Sequence, residues 1–523
     1  MRRSTTTTGG ARVQRCTART ARRSRNAALT LLTAAVVAVS AACTTGVPAP
    51  AATSAPTGPA AVAAPAGARD VGVQLFQWTW DAIAAECTDH LGPAGYGWVL
   101  TSPPQEHVLG SQWWTAYQPV SYRLESRLGT RAQLSAMVAA CHAAGVEVLA
   151  DAVVNHMTGK DARGTGWAGS PYSHYDYPGI WSDAAGDFHH CGVGPADDIS
   201  SYKDAFQVQS CELVNLADLA TGTGRVQDGI AAYLTDLLSL GVDGFRIDAA
   251  KHLPAEDLAA IVARLPAGTR IVSEVIRGTG EPVTPEQYTA IGDVLEFGWG
   301  KDVTGMVRGG SLRLAAGLGT GSTYLPSDKA WIFVENHDTE RSRSTLGYRD
   351  GADYVLANVL MLATDYGRPI VYSGYAFTDR DAGPVQDAAG KVLDAQCAAP
   401  VGPDVTYTDG EWVCQHRWTA IEGMVGWRDA VGDDPVGDRW EDGDAFALSR
   451  GTRGLVVLNG GDVEVAAQVP TTLSDGSYCD VVAGPAVDGR CAGDPVAVRD
   501  GVADVRVAPH TAVALHVGAP AGA

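Results

Sequence analysis

The amino-acid sequence predicts an α/β fold: a closed (β/α)8 TIM barrel with an inserted subdomain after strand 3 and a C-terminal all-β domain. Eight short apolar segments alternate with helical stretches between Val71 and Tyr375, which is typical of a parallel sheet that closes on itself. One connection is too long for a simple crossover. After about Asp434 the pattern changes to short alternating runs, which favour an all-β domain.

The eight predicted strands are spread over about 300 residues, which suits a barrel of this kind. In chain order they are VGVQLF from Val71, YGWVLTSP from Tyr96, EVLADAVVNH from Glu147, GFRIDA from Gly244, RIVSEV from Arg270, VLEFGW from Val294, WIFVENHD from Trp331 and RPIVYSGY from Arg368. We therefore expect the barrel to comprise residues 70–154 and 220–434.

The long connection follows strand 3 and is rich in Gly, Asp, His and Tyr. We interpret residues 155–219 as an inserted subdomain, which is followed by a helix predicted from Arg225. The C-terminal segment contains the runs AFALSR and GLVVLNG, separated by Gly and Asp. Such alternation predicts a β-sandwich domain over residues 435–523.

The N-terminal segment has the features of an export signal. The first 26 residues contain eight arginines and no acidic residue, and an apolar run follows from Ala27 to Val39. This run is shorter than the about 20 residues that a membrane-spanning helix requires, and the small residues after it are typical of a processing site. We expect a signal peptide over residues 1–42, a flexible linker over residues 43–69 and a secreted protein. Lipid anchoring through Cys43 is an open alternative, although Ser40 makes the lipobox weak.

The charge balance restricts the partners of the chain. It contains 39 Lys and Arg residues against 59 Asp and Glu residues, a formal net charge of −20. Such an acidic protein repels nucleic acids and anionic membranes, whereas a neutral polymer is not repelled. We expect no nucleic-acid partner, no transmembrane segment and a monomer.

Eight of the ten cysteines remain once Cys16 and Cys43 in the N-terminal segment are set aside. An even number in an exported protein favours disulfides over metal ligands. Three pairs are close in sequence, and the remaining two cysteines fall in the helical stretches after strands 1 and 2. The predicted bonds are Cys87–Cys141, Cys191–Cys211, Cys397–Cys414 and Cys479–Cys491.

Polar side chains collect at the carboxyl ends of the predicted strands, where a barrel carries its active site. They are Asp151, Asn155, His156, Arg246, Asp248, Glu274 and Asp338. One such aspartate alone is more often a helix cap or a solvated loop residue. Three carboxylates that end strands 4, 5 and 7, together with arginine and histidine, indicate a catalytic centre.

Two carboxylates beside one carbon can cleave a glycosidic bond, one as nucleophile or base and the other as proton donor. We expect the Arg246 guanidinium to keep the pKa of Asp248 low, which suits nucleophilic attack. Negative neighbours raise the pKa of a second carboxyl group, which suits Glu274 as the acid. Asp338 would then stabilise the positive charge that develops on the sugar ring.

Four segments, DAVVNHM, GFRIDAAKH, SEVI and FVENHD, occur in this order along the predicted strands. Together they resemble the four regions that define the alpha-amylase family of glycoside hydrolases. The likeness runs from about Gly72 to the C-terminus. QWWTAYQPVSYRL from Gln112 and CQHRWTAIEGMV from Cys414 are similar to the animal-type branch, which also occurs in actinobacteria.

The resemblance implies a role for each matching position. Asp248 matches the nucleophile, Glu274 the acid/base and Asp338 the third carboxylate. Substrate contacts are implied for Trp113, Trp114, Tyr117, Gln118, His156, Arg246, Lys251, His252, Ile276 and His337. The implied activity is endo-hydrolysis of α-1,4 bonds in starch, glycogen and maltooligosaccharides, with retention of anomeric configuration.

The resemblance also implies a structural Ca²⁺ that joins the inserted subdomain to the barrel. Asn155 and Asp218 match its side-chain ligands, and Gln209 and His252 match its backbone carbonyl ligands. Because Ca²⁺ takes six to eight oxygen ligands, water would complete the shell.

The family's chloride site is matched only in part. Arg246 and Asn336 match two of its ligands, but Ile370 stands where the second basic residue belongs. A buried anion with a single cationic partner is poorly compensated, so we expect little or no chloride dependence.

Other functions stay open on the sequence alone. A transglycosylase or an exo-acting maltooligosaccharide-forming enzyme on the same fold would differ in the shape of its loops. A non-catalytic glucan-binding protein is disfavoured by the three carboxylates. A protease or esterase is disfavoured because Ser273 has no GxSxG setting.

Overall fold

The computed structural model describes residues 69–159, 162–194 and 196–522 of the chain. The predicted signal peptide, most of the predicted linker and Cys43 lie outside these residues. Within the described ranges, every helix is too short or too polar to span a lipid bilayer.

Eight parallel strands form a closed barrel, which confirms the predicted fold class. They are β1 (Gly72–Leu75), β2 (Trp98–Leu100), β3 (Glu147–Ala152), β4 (Gly244–Ile247), β5 (Arg270–Ser273), β6 (Asp293–Leu295), β7 (Ala330–Phe333) and β8 (Arg368–Ser373). The strands follow one another around the barrel in sequence order, and β1 closes the ring between β2 and β8. Gly72 lies opposite Trp98 on one side and Ile370 on the other. A methyl group on Gly72 would lie 1.9 Å from the Trp98 ring, so only glycine fits there.

Nine α-helices of at least six residues are described, several of which begin at a side-chain cap. They are α1 (Trp80–Glu86), α2 (Arg131–Ala143), α3 (Ala205–Ser210), α4 (Gly224–Ser239), α5 (Ala255–Val262), α6 (Phe297–Arg308), α7 (His337–Ser342), α8 (Ala352–Ala363) and α9 (Thr419–Val431). Thr79 caps α1, Thr223 caps α4, and Thr130 with Gln133 forms a capping box at α2. After α1 the chain continues as a π-helical turn over Cys87–Leu91 and a short turn over Gly92–Ala94.

The segment between β3 and α4 contains three short antiparallel ribbons. They pair His156–Gly159 with Leu216–Asp218, Gly164–Thr165 with Pro171–Tyr172, and Asp176–Tyr177 with Trp181–Ser182. The prediction that strand 3 continues to His156 is wrong, because β3 ends at Ala152 and His156 begins the first ribbon. This ribbon joins the first residues of the insertion to its last ones.

The C-terminal residues form two four-stranded antiparallel sheets, which confirms the predicted all-β domain. The strands are β9 (Val436–Asp442), β10 (Ala445–Arg450), β11 (Gly454–Asn459), β12 (Val465–Pro470), β13 (Gly476–Tyr478), β14 (Val496–Arg499), β15 (Val502–Val507) and β16 (Thr511–His516). The sheet orders are β9-β10-β11-β16 and β12-β15-β14-β13. Side chains such as Val457, Val505 and Leu515 form the apolar core of this domain. Helices α8 and α9 of the barrel contact β16.

All four predicted disulfides are present. They are Cys87–Cys141, Cys191–Cys211, Cys397–Cys414 and Cys479–Cys491. The first connects the π-helical turn after α1 to α2, and the second lies within the inserted subdomain.

Candidate active site

The carboxyl ends of the barrel strands surround a cavity of about 500 Å³. Its lining includes the three predicted catalytic carboxylates and all the predicted substrate residues except Gln118 and Arg246. The residues that line it are Trp113, Trp114, Tyr117, His156, Tyr202, Leu213, Val214, Leu216, Asp248, Ala249, Lys251, His252, Glu274, Ile276, Arg277, Gly278, Glu281, His337 and Asp338. The barrel and the inserted subdomain thus contribute to one site.

Arg246 organises the carboxylates from below the cavity. Arg246 and Asp248 are two residues apart at the end of β4, so their side chains lie on the same side of the chain. The buried Arg246 guanidinium lies 2.6 Å from Asp151 Oδ1, 2.8 Å from Asp248 Oδ1 and 2.8 Å from Glu274 Oε1. The Tyr117 hydroxyl donates to Asp151 Oδ2 at 2.9 Å. One guanidinium therefore fixes two carboxylates that face the cavity and a third beneath them.

Burial raises the pKa of both Asp248 and Glu274, although Arg246 acts in the opposite direction. The prediction that Arg246 keeps the pKa of Asp248 low is wrong, because the guanidinium is shared and desolvation outweighs it. The two acids still differ in their neighbours. The charges of Asp248 and Asp338 both raise the pKa of Glu274, whereas Asp338 is the carboxylate that raises the pKa of Asp248. We therefore expect Glu274 to hold a proton when Asp248 is ionised.

The histidines of the cavity are neutral at pH 7. Burial lowers the pKa of His156 and His252 to about 4, and it also lowers the pKa of His337 well below its ordinary value. His337 Nδ1 lies 3.3 Å from the Gln74 side-chain nitrogen, which is a donor, so Nε2 of His337 carries the ring proton. The Nε2–H lies beside Asp338 Oδ2, at 3.5 Å, and can donate to a sugar hydroxyl bound there.

His156, unlike His337, has no ring nitrogen left for the sugar contact that the sequence predicted. Its Nε2–H donates to the Tyr117 carbonyl oxygen at 3.1 Å, and the Asn155 amide nitrogen lies 3.3 Å from its Nδ1. Both ring nitrogens thus have protein partners. The predicted hydrogen bond from His156 to the reacting sugar requires one of these contacts to be exchanged.

Aromatic rings form one wall of the cavity. The Tyr117 ring stacks on His337 with centroids 5.2 Å apart, and the Phe76 ring also stacks on His337, at 4.8 Å. Trp113 meets Tyr117 edge-on at 5.8 Å and remains half-buried, so part of its face is open to a ligand. Gln118 is not part of this wall, because its Oε1 accepts a hydrogen bond from the Gly159 amide at 3.1 Å. Its role in substrate binding stays a prediction.

Beside the predicted residues Lys251 and Ile276, the cavity contains Tyr202 and Glu281, which the sequence analysis did not single out. Lys251 Nζ donates to the Ile276 carbonyl at 2.7 Å and forms an ion pair with Glu281. The Tyr202 ring, from the inserted subdomain, lies 5.3 Å from Lys251 Nζ. Tyr202 is an aromatic residue in the polar run SSYKD, and this isolated aromatic residue is the one feature of the sequence that could have indicated a contact with a ligand. The sequence contains no signal for Glu281, because its ion pair with Lys251 depends on the path of the loop.

Oxygen ligands for a cation converge where the insertion leaves the barrel. Asn155 is buried and its side chain hydrogen-bonds Asp218, whose carboxylate is also contacted by His189 Nδ1 at 2.7 Å. Burial raises the pKa of Asp218 to about 6, against the effect of His189. A buried carboxylate beside a side-chain amide fits a site for a hard cation.

The two predicted carbonyl ligands are consistent with the same site. Gln209 lies in α3, which contacts the turn that contains His252, and His252 Nδ1 donates to the neighbouring Val208 carbonyl at 2.8 Å. Within the described part of the chain, the carbonyl oxygens of Gln209 and His252 accept no hydrogen bond. Both are therefore available to a metal ion.

Paired carboxylates, neutral histidines and an aromatic wall at a barrel mouth define the site of a glycoside hydrolase. The sequence matches two family profiles, "Alpha amylase, catalytic domain" over residues 101–276 and "Alpha amylase, C-terminal all-beta domain" over residues 440–518. It is 46% identical over 455 residues to an alpha-amylase of Streptomyces violaceus, covering 87% of this chain and 75% of that one. It is 38% identical over 453 residues to an alpha-amylase-related protein of Drosophila bipectinata, covering 83% and 90%.

Comparison with solved structures indicates the same family. The fold is similar to that of alpha-amylase I from Eisenia fetida, with a TM-score of 0.79 and 33% identity over 86% of this chain and 97% of that one. A variant of the same earthworm enzyme has been solved as a complex with maltohexaose and matches equally well. The chain belongs to the alpha-amylase family of glycoside hydrolases.

Proposed function

We propose that the protein is a secreted alpha-amylase that cleaves internal α-1,4 bonds of starch and glycogen with retention of anomeric configuration. The observation that carries the proposal is the contact of one guanidinium, that of Arg246, with both Asp248 and Glu274 at the cavity floor. Export is supported by the four disulfides, which form in oxidising compartments.

The proposed reaction has two displacements. The Asp248 carboxylate attacks the anomeric carbon while Glu274 gives its proton to the departing glycosidic oxygen, which yields a covalent glycosyl ester and a shortened glucan. Glu274, now ionised, takes a proton from water, and the resulting hydroxide displaces Asp248 from the anomeric carbon. Asp338 at the cavity mouth, with 42% of its side chain exposed, faces the sugar and stabilises its positive charge.

Cleavage within a chain is favoured because the cavity offers two separate groups of contacts beside the carboxylates. One group is Trp113 and Tyr117, whose rings meet, and the other is Lys251 with its contacts Ile276 and Tyr202. The maltohexaose complex of the earthworm relative supports an oligosaccharide of α-linked glucose as the ligand.

Soluble starch distinguishes the proposed endo-hydrolysis from the alternatives on this fold. We expect the iodine stain to disappear while few reducing ends have been released. Slow loss of stain with abundant short sugars would show an exo-acting enzyme. Longer products formed from a short maltooligosaccharide would show transglycosylation.

The pH profile of kcat/KM should report the proton on Glu274. Because burial and the charges of Asp248 and Asp338 raise the pKa of Glu274, the alkaline limb should lie above the pH of an ordinary glutamate. Activity is lost as pH rises through this pKa, since the acid must be protonated. In Asp338→Asn one raising charge is gone, so the limb of the residual activity should move to lower pH. An unmoved limb would exclude Glu274 as the titrating acid.

We propose that Asn155, Asp218 and the carbonyls of Gln209 and His252 hold a structural Ca²⁺. When bound, the ion would neutralise the buried Asp218 and join the insertion to the barrel. An ion present at 100 times its Kd stabilises the fold by about 2.7 kcal/mol. Excess chelator should therefore lower the melting temperature and the activity together, whereas Asp218→Asn should melt low with or without chelator. Unchanged melting of the wild type in chelator would contradict the site.

Chloride should have little or no effect on activity. Ile370 lies in the apolar interior of the barrel with Trp98 and Trp331, and Arg246 is already neutralised by the three carboxylates it contacts. We propose measuring turnover in chloride-free buffer, with calcium supplied as acetate, and again after addition of sodium chloride. Activation of several-fold would contradict this prediction.

A further inference from the structure

A second group of ligand-type side chains lies outside the barrel mouth, between α1 and the segment that precedes α9. One ligand atom each of Glu86, His90 and His416 can be chosen so that all three lie within 4.8 Å of one another. We propose that this Glu86–His90–His416 cluster binds a divalent transition metal ion, with Zn²⁺ as the probe and Glu422 as the fourth ligand. Two imidazole nitrogens with carboxylate oxygens suit Zn²⁺, whereas Ca²⁺ prefers oxygen ligands alone.

His416 is already oriented as a metal ligand. Its Nδ1 lies 2.9 Å from Ser373 Oγ, and its Nε2 lies 2.7 Å from Glu86 Oε1. Ligating histidines are commonly fixed by a hydrogen bond at the other ring nitrogen. On metal binding the ring proton of His416 would reside on Nδ1 and be donated to Ser373 Oγ, which leaves Nε2 for the ion. This change of tautomer releases no proton.

His90 provides the independent observation. Its Nε2 is buried and has no hydrogen-bond partner among the described residues, and the carboxylate oxygen Oε2 of Glu422 lies 3.9 Å from it. Buried polar atoms are rarely left unpaired, and a bound ion is one common reason for such an atom. The rings of His90 and His416 meet edge-to-face with centroids 5.6 Å apart. A metal ion bound between the two rings would give His90 Nε2 a partner.

The backbone brings His90 to the cluster. Glu86 is the last residue of α1, and His90 lies in the π-helical turn Cys87–Leu91 that follows. Such turns are rare and frequently occur at functional sites. The Cys87–Cys141 disulfide holds this turn against α2.

The charge around the cluster favours a dication. Arg417 pairs with Glu86 through two nitrogens, including Nε to Oε1 at 2.7 Å, and Oε1 keeps a lone pair that now faces His416. Glu86, Glu422 and Arg417 together carry one net negative charge. The ligand atoms of the cluster lie up to 4.8 Å apart, wider than a tetrahedral site requires, although His416 Nε2 and Glu86 Oε1 are only 2.7 Å apart. Metal binding therefore requires His90 and Glu422, whose side chains are 16% and 42% exposed, to move inward and His416 to separate from Glu86.

The test compares the full wild-type chain with His90→Gln. Each protein is treated with chelator and then kept in excess Ca²⁺, so that the calcium site is occupied and only other metal sites can bind Zn²⁺. Zn²⁺ is titrated by calorimetry and Co²⁺ by its visible absorption. We expect the wild type to bind one more Zn²⁺ than His90→Gln and to show the strong absorption of four-coordinate Co²⁺, which the variant lacks. His142→Gln, a change at a partly exposed histidine on α2, should behave as the wild type. Equal Zn²⁺ stoichiometry in the wild type and in His90→Gln would overturn the proposal.

Crystals of the wild type soaked in Zn²⁺ decide the question if His90→Gln does not fold. An anomalous peak between His90 and His416 at the zinc edge supports the site. Peaks at other positions alone, or no peak, exclude it.

Discussion

Asp248→Asn should reduce turnover of soluble starch by about 10⁴- to 10⁶-fold, the loss expected when a catalytic nucleophile is removed. The amide is isosteric and can still contact Arg246, but it cannot form the glycosyl ester. Because the aromatic wall and Lys251 are unchanged, binding of maltohexaose should persist. Turnover is measured by reducing-end release and binding by calorimetry on the same preparation.

Asp228→Asn is the matched control for this substitution. Asp228 lies on α4 with 74% of its side chain exposed and pairs with Arg264 at the surface. Its removal should leave turnover and binding unchanged. If Asp248→Asn lost less than about tenfold in turnover, Asp248 would not be the nucleophile.

Arg246→Gln should lower the free energy of unfolding by about 3–5 kcal/mol, the cost of breaking a buried ion pair from one side. Asp151, Asp248 and Glu274 would lose the cation that they share, and all three are buried. Without it their pKa values rise further, so they bind protons in the folded state. The deficit relative to wild type should therefore shrink at acidic pH and grow as pH rises. Denaturant unfolding at several pH values measures this.

Arg270→Gln is the control for Arg246→Gln. Arg270 lies on the neighbouring strand β5 and pairs with Glu147, but its side chain is 29% exposed and that of Glu147 is 48% exposed. A surface pair of this kind contributes about 0–1 kcal/mol. If Arg246→Gln lowered the free energy of unfolding by no more than Arg270→Gln does, the organising role of Arg246 would be contradicted.

Much of the fold could be predicted because its determinants are local. The eight strands are apolar runs between helical stretches, and the structure places all eight in one barrel. The end of β3 was misplaced because Val153 and Val154 continue the apolar run of the strand. The pairing of His156 with Asp218 depends on a residue 62 positions away along the chain.

The candidate site was predictable where residues end strands and less so elsewhere. Asp248, Glu274 and Asp338 meet at one cavity because strand ends meet at one face of a barrel. The side-chain direction of Gln118 and the approach of Glu281 to Lys251 depend on loop paths, which carry no periodic signal. The pKa of Asp248 was misjudged because sequence shows an adjacent arginine but neither the burial nor the other acids that share it.

Retention of configuration at the anomeric carbon is the most direct test of the central claim that Asp248 is a nucleophile and Glu274 its acid. Proton NMR of maltooligosaccharide hydrolysis, recorded before mutarotation, reads the anomer of the fresh product. Two displacements at the carbon of an α-linked substrate predict that the α-anomer appears first. Initial release of the β-anomer would contradict the account.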